Sequence, residues 1–104
     1  VSTTTSASDY PPGVAVARSL DDALAVVAGS GKGAWVIGGE RLYADALAHP
    51  SVRRLYATVI KDLHVEHADA HFPVMPADTF EPLSESACVR ESDVVWTRVM
   101  YQRI

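Results

Sequence analysis

Two stretches of the chain carry apolar residues at the spacing of a helix. The first stretch has its apolar positions at i, i+3, i+4 and i+7, and they are Leu20, Ala23, Leu24 and Val27. That spacing places them on one helical face. Ser19 stands before this face as an N-cap, and Asp22 follows three residues later in the manner of a capping box. The pattern predicts a helix that ends near Gly29.

The second helical pattern runs from about Glu40 to Ala48. Its inward positions are Leu42, Tyr43, Ala46 and Leu47. Pro50 cannot continue a helix, so the pattern predicts that the helix stops before it.

Between and after these helices the hydrophobic pattern favours strands. Short apolar runs occupy residues 14–17 and 34–37, and residues 53–60 alternate between two faces. The order strand, helix, strand, helix, strand predicts right-handed parallel crossovers. Residues 80–89 and 94–104, separated by a polar turn at 90–93, predict an antiparallel pair. The expected fold class is therefore α/β: a mixed, largely parallel sheet with flanking helices and a C-terminal antiparallel hairpin.

Composition and charge narrow the class of protein without indicating its chemistry. The chain has 104 residues, 48% apolar and 21% charged, which suits one domain with a hydrophobic core. A net charge of −4 without a basic cluster makes nucleic acid an unexpected partner. The apolar runs are too short to cross a membrane. The single cysteine, Cys88, fits a reducing compartment, so we expect a cytoplasmic protein.

The junction between the apolar run 34–37 and the second helix carries two consecutive glycines, Gly38 and Gly39. A helix N-terminus offers unpaired amides and a partial positive charge, and glycine lets an anion come close to them. One interpretation is a phosphate site on the amides of residues 39–42. The other is a sharp turn that requires a positive φ angle. The three spaced glycines of a Rossmann dinucleotide site are absent.

Several motifs together resemble the C-terminal portion of the dihydrofolate reductases. They are VIGGERLYADAL (36–47), RRLYATVI (53–60) and HFP (71–73), with GVAVARSLDDALAVV (13–27) before them. They follow one another in the order and spacing of that family over nearly the whole chain. The resemblance implies one incomplete domain, residues 1–104, that works with NADPH and dihydrofolate. The chain begins on a polar stretch without an initiator methionine, as we expect of a cut at the end of a strand.

Around the glycine pair, the resemblance implies a binding site for NADPH. Gly38 and Gly39 would form the family's unusual cis peptide, and the amides of Gly39, Glu40, Arg41 and Leu42 would hold the diphosphate. Ile37 would line the pocket of the pterin and the nicotinamide, and Tyr43 would lie near the nicotinamide. Glu40 departs from the family pattern, since many members carry a small residue there, and its carboxylate would compete with a phosphate.

Elsewhere the resemblance implies three further contacts. Ser2 and Thr3 fall where the family contacts the adenosine end, and Arg18 falls where a basic residue approaches the 2′-phosphate. Thr58 matches the threonine that hydrogen-bonds the catalytic carboxylate. The resemblance therefore gives Thr58 and Tyr43 as catalytic candidates, and Ile37 and Thr58 as substrate-binding candidates. The carboxylate itself, the mobile loop and the first cofactor-binding helix lie upstream of the matched portion.

Three functions stay open at this point. The chain could be one part of a dihydrofolate reductase, active in tetrahydrofolate biosynthesis and one-carbon metabolism when a complementary N-terminal segment is supplied. It could be a non-catalytic structural or interaction piece of the same fold. It could also be the related reductase domain of riboflavin synthesis, although the Leu-Tyr-x-Thr strand and the Phe-Pro pair favour the folate branch.

The histidine-rich segment 64–71 invites a metal interpretation. His64, His67 and His71 lie close together, with Glu66 and Asp69 between them. The segment maps to a loop, however, and neither helical nor hairpin geometry would hold the three imidazoles on one ion. We therefore expect no metal site.

Overall fold

The computed structural model describes residues 1–104 and contains two α-helices and four β-strands. The helices are α1 (Leu20–Ala28) and α2 (Glu40–Ala48). The strands are β1 (Arg54–Ile60), β2 (Phe80–Glu85), β3 (Val89–Glu91) and β4 (Val94–Arg103). A short 3₁₀ turn covers Ala7–Asp9. No helix is both long enough and apolar enough to cross a membrane.

The chain divides into two compact units, Val1–Ala46 and Leu47–Ile104. The first unit contains α1, which forms where the apolar spacing predicts it. The hydroxyl of Ser19 accepts a hydrogen bond from the amide of Asp22 at 3.1 Å, so the expected N-cap is present. Leu20 is buried and Ala23, Leu24 and Val27 are half-buried, whereas Val26 on the other side is exposed. The predicted apolar face of α1 is confirmed.

The two apolar runs of the first unit form no strands, which corrects the expected sheet. Residues 14–17 and 34–37 have no strand partner in the structure. Trp35 and Ile37 are 74% and 86% exposed, so the second run is not covered on both faces as a central parallel strand would be. The parallel crossovers inferred from element order are therefore wrong. The apolar character of a run does not determine which segment it pairs with.

The second unit contains the whole sheet, and this sheet is antiparallel. Its central strand is β4, which pairs with β1 along one edge and with β2 and β3 in succession along the other. The register places Thr58 opposite Arg98 and Ile60 opposite Trp96. Every pairing is antiparallel, so the expected C-terminal hairpin is present and the largely parallel sheet is not. Phe80 and Thr97 are the buried side chains of this sheet.

A β-bulge and a serine join β2 to β3 along the same edge of β4. The register shifts between Pro82 and Ser84. Beyond the shift, the amide of Ser86 donates to the carbonyl of Arg98 at 2.8 Å, and the amide of Arg98 donates to the Ser86 hydroxyl at 2.9 Å. The side chain of Ser86 therefore satisfies a donor of β4 where the backbone ladder is interrupted.

Arg103, at the end of β4, connects the sheet to residues 47–52 of the same unit. Its guanidinium donates to the carbonyls of Val52, Leu47 and His49 at 2.7, 2.9 and 2.7 Å. The same group lies over the ring of Phe80, 4.7 Å from its centroid. Leu47 belongs to the last turn of α2 and His49 directly follows the helix, where carbonyls lack helical partners and a cation is favourable.

Candidate functional site

The glycine pair leads directly into α2 through a cis peptide bond between Gly38 and Gly39. This is the peptide geometry that the resemblance implies. Gly38 has a φ of +135°, a conformation that side chains disfavour, so the turn itself requires glycine there. Gly39 has no such angle, and a Cβ added to it would meet no protein atom within 4 Å. Neither a positive φ angle nor packing against residues beyond its chain neighbours accounts for the second glycine.

The first turn of α2 presents amides without partners. The amide of Tyr43 donates to the carbonyl of Gly39 at 2.9 Å and begins the helical ladder. The four amides before it, those of Gly39, Glu40, Arg41 and Leu42, donate to no carbonyl and no side chain in the structure. The start of a nine-residue helix thus offers several free donors and the positive end of its dipole. This arrangement can hold an anion, and a diphosphate is the size of anion that spans several such amides.

The side chains at this corner differ in exposure. Ile37 is almost fully exposed, Glu40 and Arg41 are exposed, and Leu42 and Tyr43 are half-buried. The hydroxyl of Tyr43 lies 4.0 Å from the position that a Cβ on Gly38 would take. The carboxylate of Glu40 accepts no hydrogen bond from these amides in the structure.

The residues expected at the adenosine end form a second group within the first unit. The guanidinium of Arg18 donates through Nη1 to the carbonyl of Ser2 at 2.8 Å, and the amide of Ser2 donates to the carbonyl of Ala17 at 2.9 Å. The Ser2 hydroxyl accepts from the amide of Thr5 at 3.1 Å. Ser2 and Arg18 are therefore brought together. Thr3 is exposed beside them and makes no side-chain hydrogen bond in the structure.

Thr58 lies in the second unit, on the face of β1 that alternates outward. It borders an open cleft of about 480 Å³ that runs across β1, β4 and β2. Tyr56 and Arg98 border the same cleft. Thr58 is exposed, so its hydroxyl is accessible to a carboxylate as the resemblance implies.

Comparison with known proteins identifies the family. The sequence profile of the dihydrofolate reductase family matches residues 1–103. The chain belongs to the dihydrofolate reductase family. It is 33% identical to a dihydrofolate reductase of Drosophila melanogaster over 86 residues, which cover 81% of this chain and 46% of that protein. It is 30% identical to the Heliothis virescens enzyme over 98 residues (92% of this chain, 52% of that protein).

A dihydrofolate reductase of Aedes albopictus is 32% identical over 78 residues, which cover 70% of this chain and 41% of that protein. The chain thus spans about half the length of the curated relatives it matches. The family resemblance drawn from the VIGGERLY, LYAT and HFP motifs is confirmed. The roles assigned to individual residues stay predictions.

Sequence reasoning on this dihydrofolate reductase family member missed the parts of the site that depend on strand register. Arg98 and Ser86 carry no local motif, and their positions beside Thr58 follow only from the pairing of β4 with β1 and β2. Period-two alternation in residues 94–103 does place Trp96 and Arg98 on one face, which was a usable signal. No group of three metal-ligating side chains that could hold an ion is found, in the histidine-rich segment or elsewhere.

Proposed function

We propose that this chain takes part in the NADPH-dependent reduction of 7,8-dihydrofolate to tetrahydrofolate, together with a complementary N-terminal segment. Its contribution is the diphosphate seat of the cofactor and part of the pocket for the pterin. NADPH, when bound, supplies the hydride that passes to the pterin. The reaction belongs to one-carbon metabolism in the cytoplasm, a location that a single cysteine fits.

The free amides of residues 39–42 carry this proposal. Four consecutive donors at a helix start, with no partner and no Cβ on Gly39, form an unobstructed seat for a diphosphate. Burial of such donors by protein would have left no room for a cofactor. Family membership supports the same conclusion, because the curated relatives that match the chain are named dihydrofolate reductases.

The remaining residues take further roles in binding the cofactor and the substrate. Arg18, already oriented by its bond to the Ser2 carbonyl, keeps other guanidinium donors for the 2′-phosphate, and Ser2 and Thr3 flank the adenosine. Ile37 and Tyr43 approach the nicotinamide, and Ile37 also lines the pterin pocket. Thr58 orients the carboxylate that binds the pterin, which the complementary segment supplies.

The experiment is complementation. The 104-residue chain is mixed with an N-terminal segment of a family member, and complex formation is followed by size-exclusion chromatography. Oxidation of NADPH with dihydrofolate is then followed by absorbance. We expect turnover that needs both pieces, and we expect an antifolate of the methotrexate type to inhibit it.

Controls separate the possible outcomes. NADH in place of NADPH tests the contribution of Arg18, and an Arg18→Gln chain should lose most of the preference for NADPH. A complex that forms yet turns over no dihydrofolate would refute the proposal and favour a non-catalytic structural piece. Reduction of a riboflavin precursor without reduction of dihydrofolate would instead assign the chain to the riboflavin branch.

A further inference from the structure

We propose that Cys88 and Lys61 form a reversible covalent cross-link when the chain is exposed to hydrogen peroxide. The product is a sulfenamide, in which the cysteine sulfur is bonded directly to the lysine nitrogen. Neither side chain takes part in the proposed reductase function, so the cross-link is independent of it. Cys88 thereby becomes a modification site with one defined reaction partner.

The two side chains are in direct contact although they are distant in sequence. Lys61 Nζ donates a hydrogen bond to Cys88 Sγ at 3.3 Å, and the two residues are 27 positions apart in the chain. Both side chains are exposed, so peroxide can reach the sulfur. The chain contains one cysteine and two lysines, Lys32 and Lys61. The single thiol of the chain therefore lies against one of its two lysine amines.

The strand register agrees with this contact. Lys61 extends the β1–β4 ladder, since its amide donates to the carbonyl of Val95 at 2.8 Å. Cys88 directly precedes β3, and in the β3–β4 register its position lies opposite Thr97. Val95 and Thr97 are two residues apart on β4, so they and the residues opposite them share one face of the sheet. The contact between Lys61 and Cys88 thus crosses β4 on that face.

The sheet holds the backbone on both sides of the contact. The amide of Lys61 is bonded to β4, and Cys88 is followed directly by Val89, which pairs with Trp96. The two side chains are therefore kept within reach of one another. A covalent bond between sulfur and nitrogen is shorter than the 3.3 Å contact, and the flexible four-carbon stem of Lys61 can close the difference.

The reaction has two steps, and hydrogen peroxide is its only external reactant. The sulfur of Cys88 attacks one peroxide oxygen, the O–O bond breaks, and a sulfenic acid and water form, so that sulfur is oxidised and peroxide is reduced. The amine of Lys61, after losing one proton to water, attacks this sulfur. The S–O bond breaks, and the hydroxide leaves as water with a second proton of the amine. Sulfenic acids condense in the same way with backbone nitrogen.

The cross-link ties together two strands that meet only through β4. β1 and β3 each pair with β4 and not with one another. A bond between residues 61 and 88 closes a loop in the unfolded chain, which raises the stability of the oxidised protein. A thiol reductant attacks the sulfur and restores both side chains. Peroxide therefore stabilises the sheet-containing unit reversibly.

The test is treatment of the 104-residue chain with hydrogen peroxide at low protein concentration, followed by mass spectrometry. We expect a protein that has lost two hydrogen atoms and that trypsin no longer cleaves after Lys61. Its digest should contain two peptides joined through residues 61 and 88. Oxidation of Met75 and Met100 adds oxygen atoms and is distinguished by mass. Dithiothreitol should reverse the cross-link, and the urea midpoint should rise on oxidation and fall again on reduction.

Variants assign the bond to the two side chains. Lys61→Arg keeps a cation beside the sulfur but removes the amine, so it should lose no hydrogen atoms and show no rise in the urea midpoint. Lys32→Arg is the matched control and should cross-link as the unmodified sequence does. Cys88→Ser should show methionine oxidation only. Loss of two hydrogen atoms in Lys61→Arg, a disulfide-linked dimer, or oxidation of Cys88 to a sulfinic acid with cleavage after Lys61 intact would each overturn the proposal.

Discussion

Replacement of Arg103 should destabilise the sheet-containing unit more than replacement of an exposed arginine does. Arg103→Met keeps most of the aliphatic stem and removes all three hydrogen bonds to the carbonyls of Val52, Leu47 and His49. It also removes the cation over Phe80. Arg103 is half-buried, so its interactions are only partly screened by water.

The magnitude follows from these contacts. A hydrogen bond from a charged donor contributes about 1.5–3 kcal/mol, and the lower end applies to a half-buried group. Three such bonds set an upper value of about 4–5 kcal/mol. Water rehydrates part of the exposed carbonyls, so we expect a loss of about 3 kcal/mol in the free energy of unfolding. Arg103→Lys keeps the charge but not the fork of donors, so it should lose about 2 kcal/mol.

The assay is urea unfolding followed by circular dichroism, with Arg53→Met as the matched control. Arg53 is exposed and its side chain makes no hydrogen bond in the structure. The control should change the free energy of unfolding by less than about 0.5 kcal/mol. Equal losses in the Arg103 and Arg53 variants, at an unchanged urea slope, would show that the carbonyl contacts contribute nothing particular.

Three further predictions concern the bulge and the glycine corner. Ser86→Ala should lower the free energy of unfolding by about 1 kcal/mol, because the amide of Arg98 loses its acceptor, whereas the control Ser84→Ala should lower it little. Equal losses for the two variants in urea unfolding would contradict this prediction. Gly39→Ala should change the free energy of unfolding by no more than about 1 kcal/mol, since its Cβ meets no atom beyond its chain neighbours, but it should weaken NADPH binding to the complemented protein at least about tenfold, as measured by calorimetry. An unchanged affinity would show that the diphosphate does not bind at these amides. Glu40→Gln should strengthen NADPH binding severalfold in the same assay, because the competing carboxylate is removed, and it should lower helix stability by about 0.3–1 kcal/mol, because a negative charge at the helix N-terminus is lost. Weaker NADPH binding would show that the carboxylate does not compete with the diphosphate.

Local signals predicted the helices and β1 well. The N-cap at Ser19, the spacing of apolar residues in α1 and the stop at Pro50 all act within a few residues, so they can be seen in sequence. Alternation in residues 53–60 likewise predicted β1 and its two faces. These features depend on the preferences of short segments of backbone.

Strand pairing could not be predicted in the same manner. The runs 14–17 and 34–37 have the composition of buried strands, yet neither forms a strand of the sheet, because pairing depends on segments distant in sequence. The strand predicted over residues 80–89 includes Cys88. It is instead exposed between β2 and β3, where it accepts a hydrogen bond from Lys61 Nζ at 3.3 Å. Both errors arise from reading apolar character as burial.

The candidate site shows the same division between local and distant information. The glycine corner and the helix start are contiguous, so the unpaired amides could be expected from the local sequence, while the cis peptide was implied by the family resemblance. The cleft beside Thr58 is built from three strands, and Arg98 enters it only through register.

The two glycines before α2 have different structural explanations. The φ of Gly38 explains that residue completely by the turn, so its presence says nothing about a ligand. Gly39 has no positive φ, and a Cβ there would meet no atom within 4 Å outside its chain neighbours. Glycine lowers the stability of the folded state because it raises the entropy of the unfolded chain, so its use at residue 39 needs another reason. We propose that close approach of an anion to the amides of α2 supplies that reason, so substitution of Gly39, rather than of Gly38, tests for a cofactor site at this turn.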